Sequence, residues 1–110
     1  MRSSMISKKK SVAVRWSKRA EHDIEEIGRF IALDKPKAGR SWTMRIRQRV
    51  CEASYVPGMG RVVPELGRSD VREVLFGSYR IMYRVDDCCI WVLTVFHGHK
   101  LLGHLDPDNV

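Results

Sequence analysis

Between residues 71 and 100 the chain reads VREVLFGSYRIMYRVDDCCIWVLTVFHGHK, three apolar-rich segments parted by two pairs of turn residues. The third segment, residues 89–96, is nearly all apolar. A strand of that composition is buried on both faces, so it lies inside a sheet with cover above and below. Gly77-Ser78 supplies a two-residue hairpin turn of the kind that needs a positive φ at its first position. Asp86-Asp87 makes the next turn. Val71–Phe76 and Tyr79–Val85 are the two strands so joined, and Tyr79, Ile81, Tyr83 and Val85 alternate with Arg80, Met82 and Arg84. The rest of the chain must cover this sheet or add a strand to it.

The upstream half is patterned for both tasks. Val12, Val14 and Trp16 alternate with Ala13, Arg15 and Ser17, the period-two pattern of a short strand. Ser17 stands where an N-cap would, and from Lys18 the period lengthens. Ala20, Ile24, Ile27 and Ile31 form the stripe of an amphipathic helix over residues 18–33, which Phe30 widens. Asp34-Lys35-Pro36 ends that helix and opens a second, running to Tyr55 with Ala38, Trp42, Ile46, Val50 and Ala53 on its apolar face. So short a connection makes the pair an antiparallel hairpin. Arg45, Arg47 and Arg49 fall on the outer side of the second helix as its solvent face. Residues 57–70, with three glycines and two prolines, carry no sustained period and are expected to be a loop or irregular crossover bearing Arg61 and Arg68. The order β-α-α-β-β-β gives an α+β fold: a mostly antiparallel sheet packed against an N-terminal helical hairpin.

A chain of 110 residues suits one domain, expected over residues 11–102 after a flexible basic arm of residues 1–10 and before a short tail of residues 103–110, where Leu105 suggests docking. No apolar run reaches membrane-spanning length, and the basic first residues lead into no signal-peptide core. Three cysteines, with no C-x-x-C, fit reduced thiols in a cytoplasmic protein. Lys and Arg number 20 against 13 Asp and Glu, a net charge of +7 that favours an acidic partner or nucleic acid.

The chemistry-bearing candidates are few. With Gly77-Ser78 as the loop, Phe76 pairs with Tyr79, Arg80 faces Leu75, and Arg72 lies opposite Tyr83. Arg72 and Arg80 then point to opposite faces unless a bulge intervenes, which makes Arg80 with His97 the better pair to test. His97 and His99 are spaced for a metal, but third and fourth ligands are lacking, since Cys88 and Cys89 begin the same strand too far away. No metal and no cofactor are expected. No nucleophile–base motif, phosphate loop or paired-carboxylate pattern occurs. A nucleic-acid surface would draw on Arg61, Arg68 and the strand arginines, with Tyr79, Tyr83 or Trp91 near enough to stack a base.

Arg72-Glu73 opening a strand, the run Gly77-x-Tyr79-Arg80-Ile81-x-Tyr83, the closing Val95-Phe96-His97-Gly98-His99-Lys100 and the element order together resemble the RelE/ParE toxins of bacterial type II toxin–antitoxin systems, over residues 12–102. The resemblance implies a small basic toxin held in a hetero-oligomer by an acidic antitoxin. RelE-like members cut mRNA on the ribosome without a metal, and Arg72, Arg80 and His97 would be the catalytic residues here. ParE-like members poison DNA gyrase without such a set. The closing residues 96–100 are nearer the ParE type, and Val74 and Phe76 replace basic residues that RelE-like members tend to keep. The expectation is therefore an inhibitor of DNA gyrase. The alternatives are a ribosome-dependent mRNA endonuclease, or a non-toxic module that binds nucleic acid or protein.

Overall fold

The computed structural model describes residues 10–98 and 105–110. The expectations for the basic arm up to residue 9, and for His99, Lys100 and His104, lie outside the described residues. In chain order the elements are β1 (Ala13–Trp16), α1 (Lys18–Asp34), α2 (Pro36–Tyr55), a 3-10 turn (Pro57–Met59), β2 (Arg61–Val62), β3 (Val71–Phe76), β4 (Tyr79–Val85) and β5 (Cys89–His97). They form one sheet in the order β1-β5-β4-β3-β2. β1 runs parallel to β5 and every other pairing is antiparallel. Among the described residues no helix is long and apolar enough to cross a membrane.

β5 occupies the interior of the sheet as its composition requires. Ile90, Val92 and Val95 join the cluster that packs under the helices, with Ala20, Ile24, Trp42, Ile46, Val50 and Ala53. Leu93 and Phe96 face the other way, against Val63, Val71 and Met82. The β4–β5 register shifts between Met82 and Tyr83: Met82 pairs with Thr94 and Tyr83 with Val92, leaving Leu93 as the extra residue of a bulge. The bulge lets Val92 and Val95, three positions apart, share one face.

The β3–β4 hairpin has the expected register: Phe76 opposite Tyr79, Leu75 opposite Arg80 and Arg72 opposite Tyr83. Gly77 turns it with φ of 58° and needs no help from Ser78, because among the described residues only glycines have a positive φ. Ser17 caps α1, accepting from the Ala20 amide at 3.0 Å and donating to the Leu93 carbonyl at 2.9 Å. It therefore ties the first helix to the bulge of β5. The helices touch through glycine. A Cβ on Gly39 would stand 2.5 Å from the Gly28 carbonyl oxygen. Phe30 departs from the expectation: it is 73% exposed, because at about 100° per residue it stands well off the stripe through which Ile27 and Ile31 pack on the core, and Leu33 is 82% exposed.

Residues 57–70 also depart from a plain loop. They make the 3-10 turn and the two-residue β2, which pairs Arg61 with Glu73 and Val62 with Arg72. Two residues carry no readable period, and their strand exists because β3 offers them an open edge. Gly60 is needed where this segment crosses the sheet, since a Cβ there would lie 2.5 Å from the Tyr83 hydroxyl. The segment places Val63 and Leu66 over the second face, which Leu105 also covers.

β1 ends at Trp16, so β5 has a bare edge from Thr94 onward. The Asp23 carboxylate of α1 covers it, accepting from the Thr94 hydroxyl at 2.5 Å and the Val95 amide at 3.2 Å. One side chain thereby does what a neighbouring strand would do for that stretch.

Candidate functional site

Arg80 projects from β4 onto the face away from the helices, and three carboxylate contacts fix it there. Its Nε donates to Glu73 Oε1 at 2.6 Å, and Nη1 and Nη2 donate to the two oxygens of Glu65 at 2.8 Å each. Its guanidinium also lies 5.0 Å over the Phe96 ring. The Glu73 side chain is wholly buried and accepts a second bond from Arg61 Nε at 2.5 Å. Arg61, Glu73, Arg80 and Glu65 thus alternate in sign across β2, β3, β4 and the connecting segment. Arg80 holds the Glu65 carboxyl down at about 2, and both carboxylates in turn keep the Arg80 guanidinium above its ordinary range.

Arg72 does a different task on the other face. Its Nε donates to the Ser69 carbonyl at 2.9 Å and Nη1 to the Gly60 carbonyl at 3.0 Å. Both acceptors belong to the 57–70 segment, so Arg72 staples that segment to β3. Tyr83 helps by donating to the Pro57 carbonyl at 2.6 Å while accepting from the Gly60 amide at 3.1 Å. Burial pushes the Tyr83 phenol up, which keeps it the neutral donor this bridge needs.

His97 is exposed at the end of β5, paired with Tyr79. Its ring stands edge-on to Tyr79 at 5.5 Å, and Tyr79 stands edge-on to Trp42 at 5.1 Å. These contacts put His97 on the helix side. Arg80 pairs with Phe96 and points the opposite way. The pairing of Arg80 with His97 is therefore not made: the sheet separates them, since neighbours along a strand alternate faces. Arg72 shares the helix side with His97 but sits at the other end of its strand, four positions before Phe76. The bulge that would have brought the arginines together is absent from β3–β4; the one that occurs is in β5.

Two further features escape a reading of the sequence. Glu65 and Glu73 hold Arg80. Strand parity puts Glu73 on Arg80's face, which is a usable signal, whereas Glu65 lies on an irregular segment with none. The other is a groove of about 340 Å³ between α1 and the free end of β5, lined by Arg19, Asp23, Ile27, Phe30, Tyr79 and His97 among others. Its walls combine apolar surface with charges of both signs, a lining suited to a polypeptide segment. Among the described residues no group of three His, Cys, Asp or Glu side chains is placed to hold a metal ion. The three cysteines are free thiols, and burial pushes the Cys89 thiol up, away from the reactive thiolate.

A family model described as the ParE toxin of the type II toxin–antitoxin system parDE matches residues 14–102. Y4kP of Sinorhizobium fredii (strain NBRC 101917 / NGR234), provisionally named a toxin, is 33% identical over 90 residues, covering 79% of this chain and 88% of Y4kP. Among solved structures, one from the chromosomal ParDE system of P. aeruginosa superposes with a TM-score of 0.67 at 18% identity, covering 79% of this chain and 96% of that one. A chain of the RelBE2 toxin–antitoxin complex of Mycobacterium tuberculosis gives 0.58 at 22%, covering 79% and 91%. A mutant of E. coli toxin RelE in the free state gives 0.61 at 16%, covering 82% and 86%. At these identities the structural likeness is one of fold, and it spans both branches.

Proposed function

Because the chain belongs to the ParE toxin family of type II toxin–antitoxin systems, we propose that it is a growth-arresting toxin that inhibits DNA gyrase and is neutralised by an acidic antitoxin. The observation that carries the choice of gyrase over mRNA is the dispersal of Arg72, Arg80 and His97. Cleavage of a phosphodiester without a metal needs a base, an acid and a cation around one phosphorus, within about 3–3.5 Å of the reacting atoms. Here one arginine staples a loop, another has every guanidinium nitrogen engaged by carboxylates, and the histidine lies across the sheet from it. Freeing Arg80 for a phosphate would leave Glu73 buried with Arg61 alone, an expensive exchange.

The antitoxin reading draws support from charge and from exposure. A +7 chain steers toward an acidic partner, and Phe30 and Leu33 leave apolar surface beside the groove of α1. An acidic segment with apolar anchors would cover both and form a hetero-oligomer.

The deciding experiment sets two assays side by side with purified protein: supercoiling by DNA gyrase, and integrity of an mRNA on translating ribosomes. The expected result is dose-dependent loss of supercoiling with intact mRNA. Cleaved mRNA with unaffected supercoiling would overturn the gyrase reading in favour of the endonuclease. Loss of neither, with growth unchanged on induction, would remove the toxin reading for this chain.

A further inference from the structure

The matched family segment ends at residue 102, yet residues 105–110 lie against the sheet face opposite the helical hairpin, with Leu105 and Pro107 turned into it. Their sequence, LDPDNV, alternates apolar and acidic side chains from Leu105 to Asp108 and ends in Asn109-Val110. Leu105 packs with the Val63, Met82, Leu93 and Phe96 cluster, and Pro107 is buried. Asp108 takes a bidentate contact from Arg68, Nη1 to Oδ2 at 3.0 Å and Nη2 to Oδ1 at 3.1 Å, and lies 3.9 Å from Arg84 Nη1. Arg84 Nη1 donates to the Pro107 carbonyl at 2.7 Å.

The receiving arginines are held ready by residues other than the tail. Asp70 takes Nε and Nη2 of Arg68 at 3.1 and 2.8 Å, and Asp86 takes Nε and Nη2 of Arg84 at 3.0 Å each. One edge of each guanidinium is thus clamped by a carboxylate of its own strand or loop, and Nη1 of each is left aimed at the tail. This is a preorganised fork for an acidic, carbonyl-bearing segment. The tail does not fill the space it borders. A cavity of about 290 Å³ remains between Leu105, Asp106, Asn109 and Val110 on one side and Ser17, Lys18 and Arg19 at the start of α1 on the other. Among the described residues Lys18 forms no ion pair, so its ammonium stands at the far wall of the unfilled space. Asp108 is 63% exposed, and pairs this open are weak and screened by salt.

We propose that residues 105–110 are a cis-held stand-in for a partner: the surface under them is a docking site for an acidic, apolar-flanked polypeptide segment, and the tail controls access to it. A polypeptide fits better than a nucleic-acid backbone. Asp70 and Asp86 already neutralise the two arginines, so the site gains from carboxylate–guanidinium geometry and carbonyl acceptance more than from net positive charge. The surface lies on the other side of the sheet from the groove of α1, and its occupancy can be measured separately.

The test compares the full chain with its Asp108→Lys variant, in which a cation faces Arg68 and Arg84 and the tail is expelled. Hydrogen exchange should show the amides of Asp108 and Asn109 losing protection while β3, β4 and β5 keep theirs. In an NMR titration, the synthetic peptide LDPDNV should shift resonances of Arg68, Arg84 and Leu93 in the variant. Its binding to the unsubstituted chain should be at least about tenfold weaker, because the tethered tail competes. Adding Arg68→Ala to the variant should abolish the shifts. The proposal is overturned if the tail keeps its protection in Asp108→Lys, if millimolar peptide shifts neither protein or both alike, or if a single-stranded DNA hexamer shifts these residues and the peptide does not. Should Asp108→Lys fail to fold, Asp108→Asn with rising salt gives the same comparison: tail protection should fall before that of the sheet, and joint loss overturns the idea.

Discussion

Arg80 shows how a side chain that marks a family in the sequence can serve the fold in the structure. Replacing it by alanine strands the wholly buried Glu73 carboxylate with Arg61, whose side chain is 60% exposed. The expected cost is about 3–5 kcal/mol, as for other broken buried pairs, and urea denaturation should record it as a lower midpoint. Loss of toxicity in Arg80→Ala would therefore have to be read against loss of folded protein. Glu65 supplies a pH signature. Its carboxyl is depressed to about 2 in the folded state from 4.5, so its contribution is fully present above pH 4.5 and disappears as pH falls from there through about 2. Glu65→Gln should flatten that acid limb, so its urea midpoint should fall less than the unsubstituted chain's between pH 6 and pH 3. An unchanged limb would mean the Glu65–Arg80 contact contributes nothing in solution. Strand alternation made it legible that Arg72 and Arg80 face opposite ways. The capture of Arg80 was not legible, because one captor sits on a segment whose path no period announces.

At the level of elements, the crossing of α1 and α2 is the least forgiving feature. Gly39→Ala would drive a methyl to 2.5 Å from the Gly28 carbonyl and 2.8 Å from the Ala32 Cβ, so backbone must move. Helix propensity would favour the change by about 1 kcal/mol, but overpacking of this kind costs about 1–3 kcal/mol. Calorimetry should show a lower melting temperature for Gly39→Ala. Gly28→Ala meets the Thr43 hydroxyl at 2.8 Å, a side-chain contact that can rotate away, and should lower it less. Equal effects would refute the close-approach account. The helices, their hairpin and the β3–β4 register were readable because apolar spacing and turn chemistry agree over many residues. β2 was not readable, being two residues recruited by a neighbour's edge. Neither was the exposure of Phe30, since an apolar residue at the border of a stripe can widen the buried face or lie outside it.

For the whole molecule the net charge of +7 sets how partners arrive more than how tightly they stay. Stopped-flow association with an acidic antitoxin should slow by about tenfold or more as salt rises from roughly 0.05 M to 0.5 M, with dissociation changing much less. A salt-independent on-rate would assign the encounter to apolar contact alone. The parallel pairing of β1 with β5 has a consequence in time. Ala13 pairs with Cys89, and β5 also completes β4, so the strand at the heart of the sheet is the last of the described strands to be synthesised. At about 5–20 residues per second, a ribosome takes roughly 4–15 s to travel from one partner of that pair to the other. By the end of that interval the nascent chain has both helices and the β3–β4 hairpin but still no centre to assemble on. A ribosome that stalls or drops off before β5 therefore releases a fragment that cannot close its sheet.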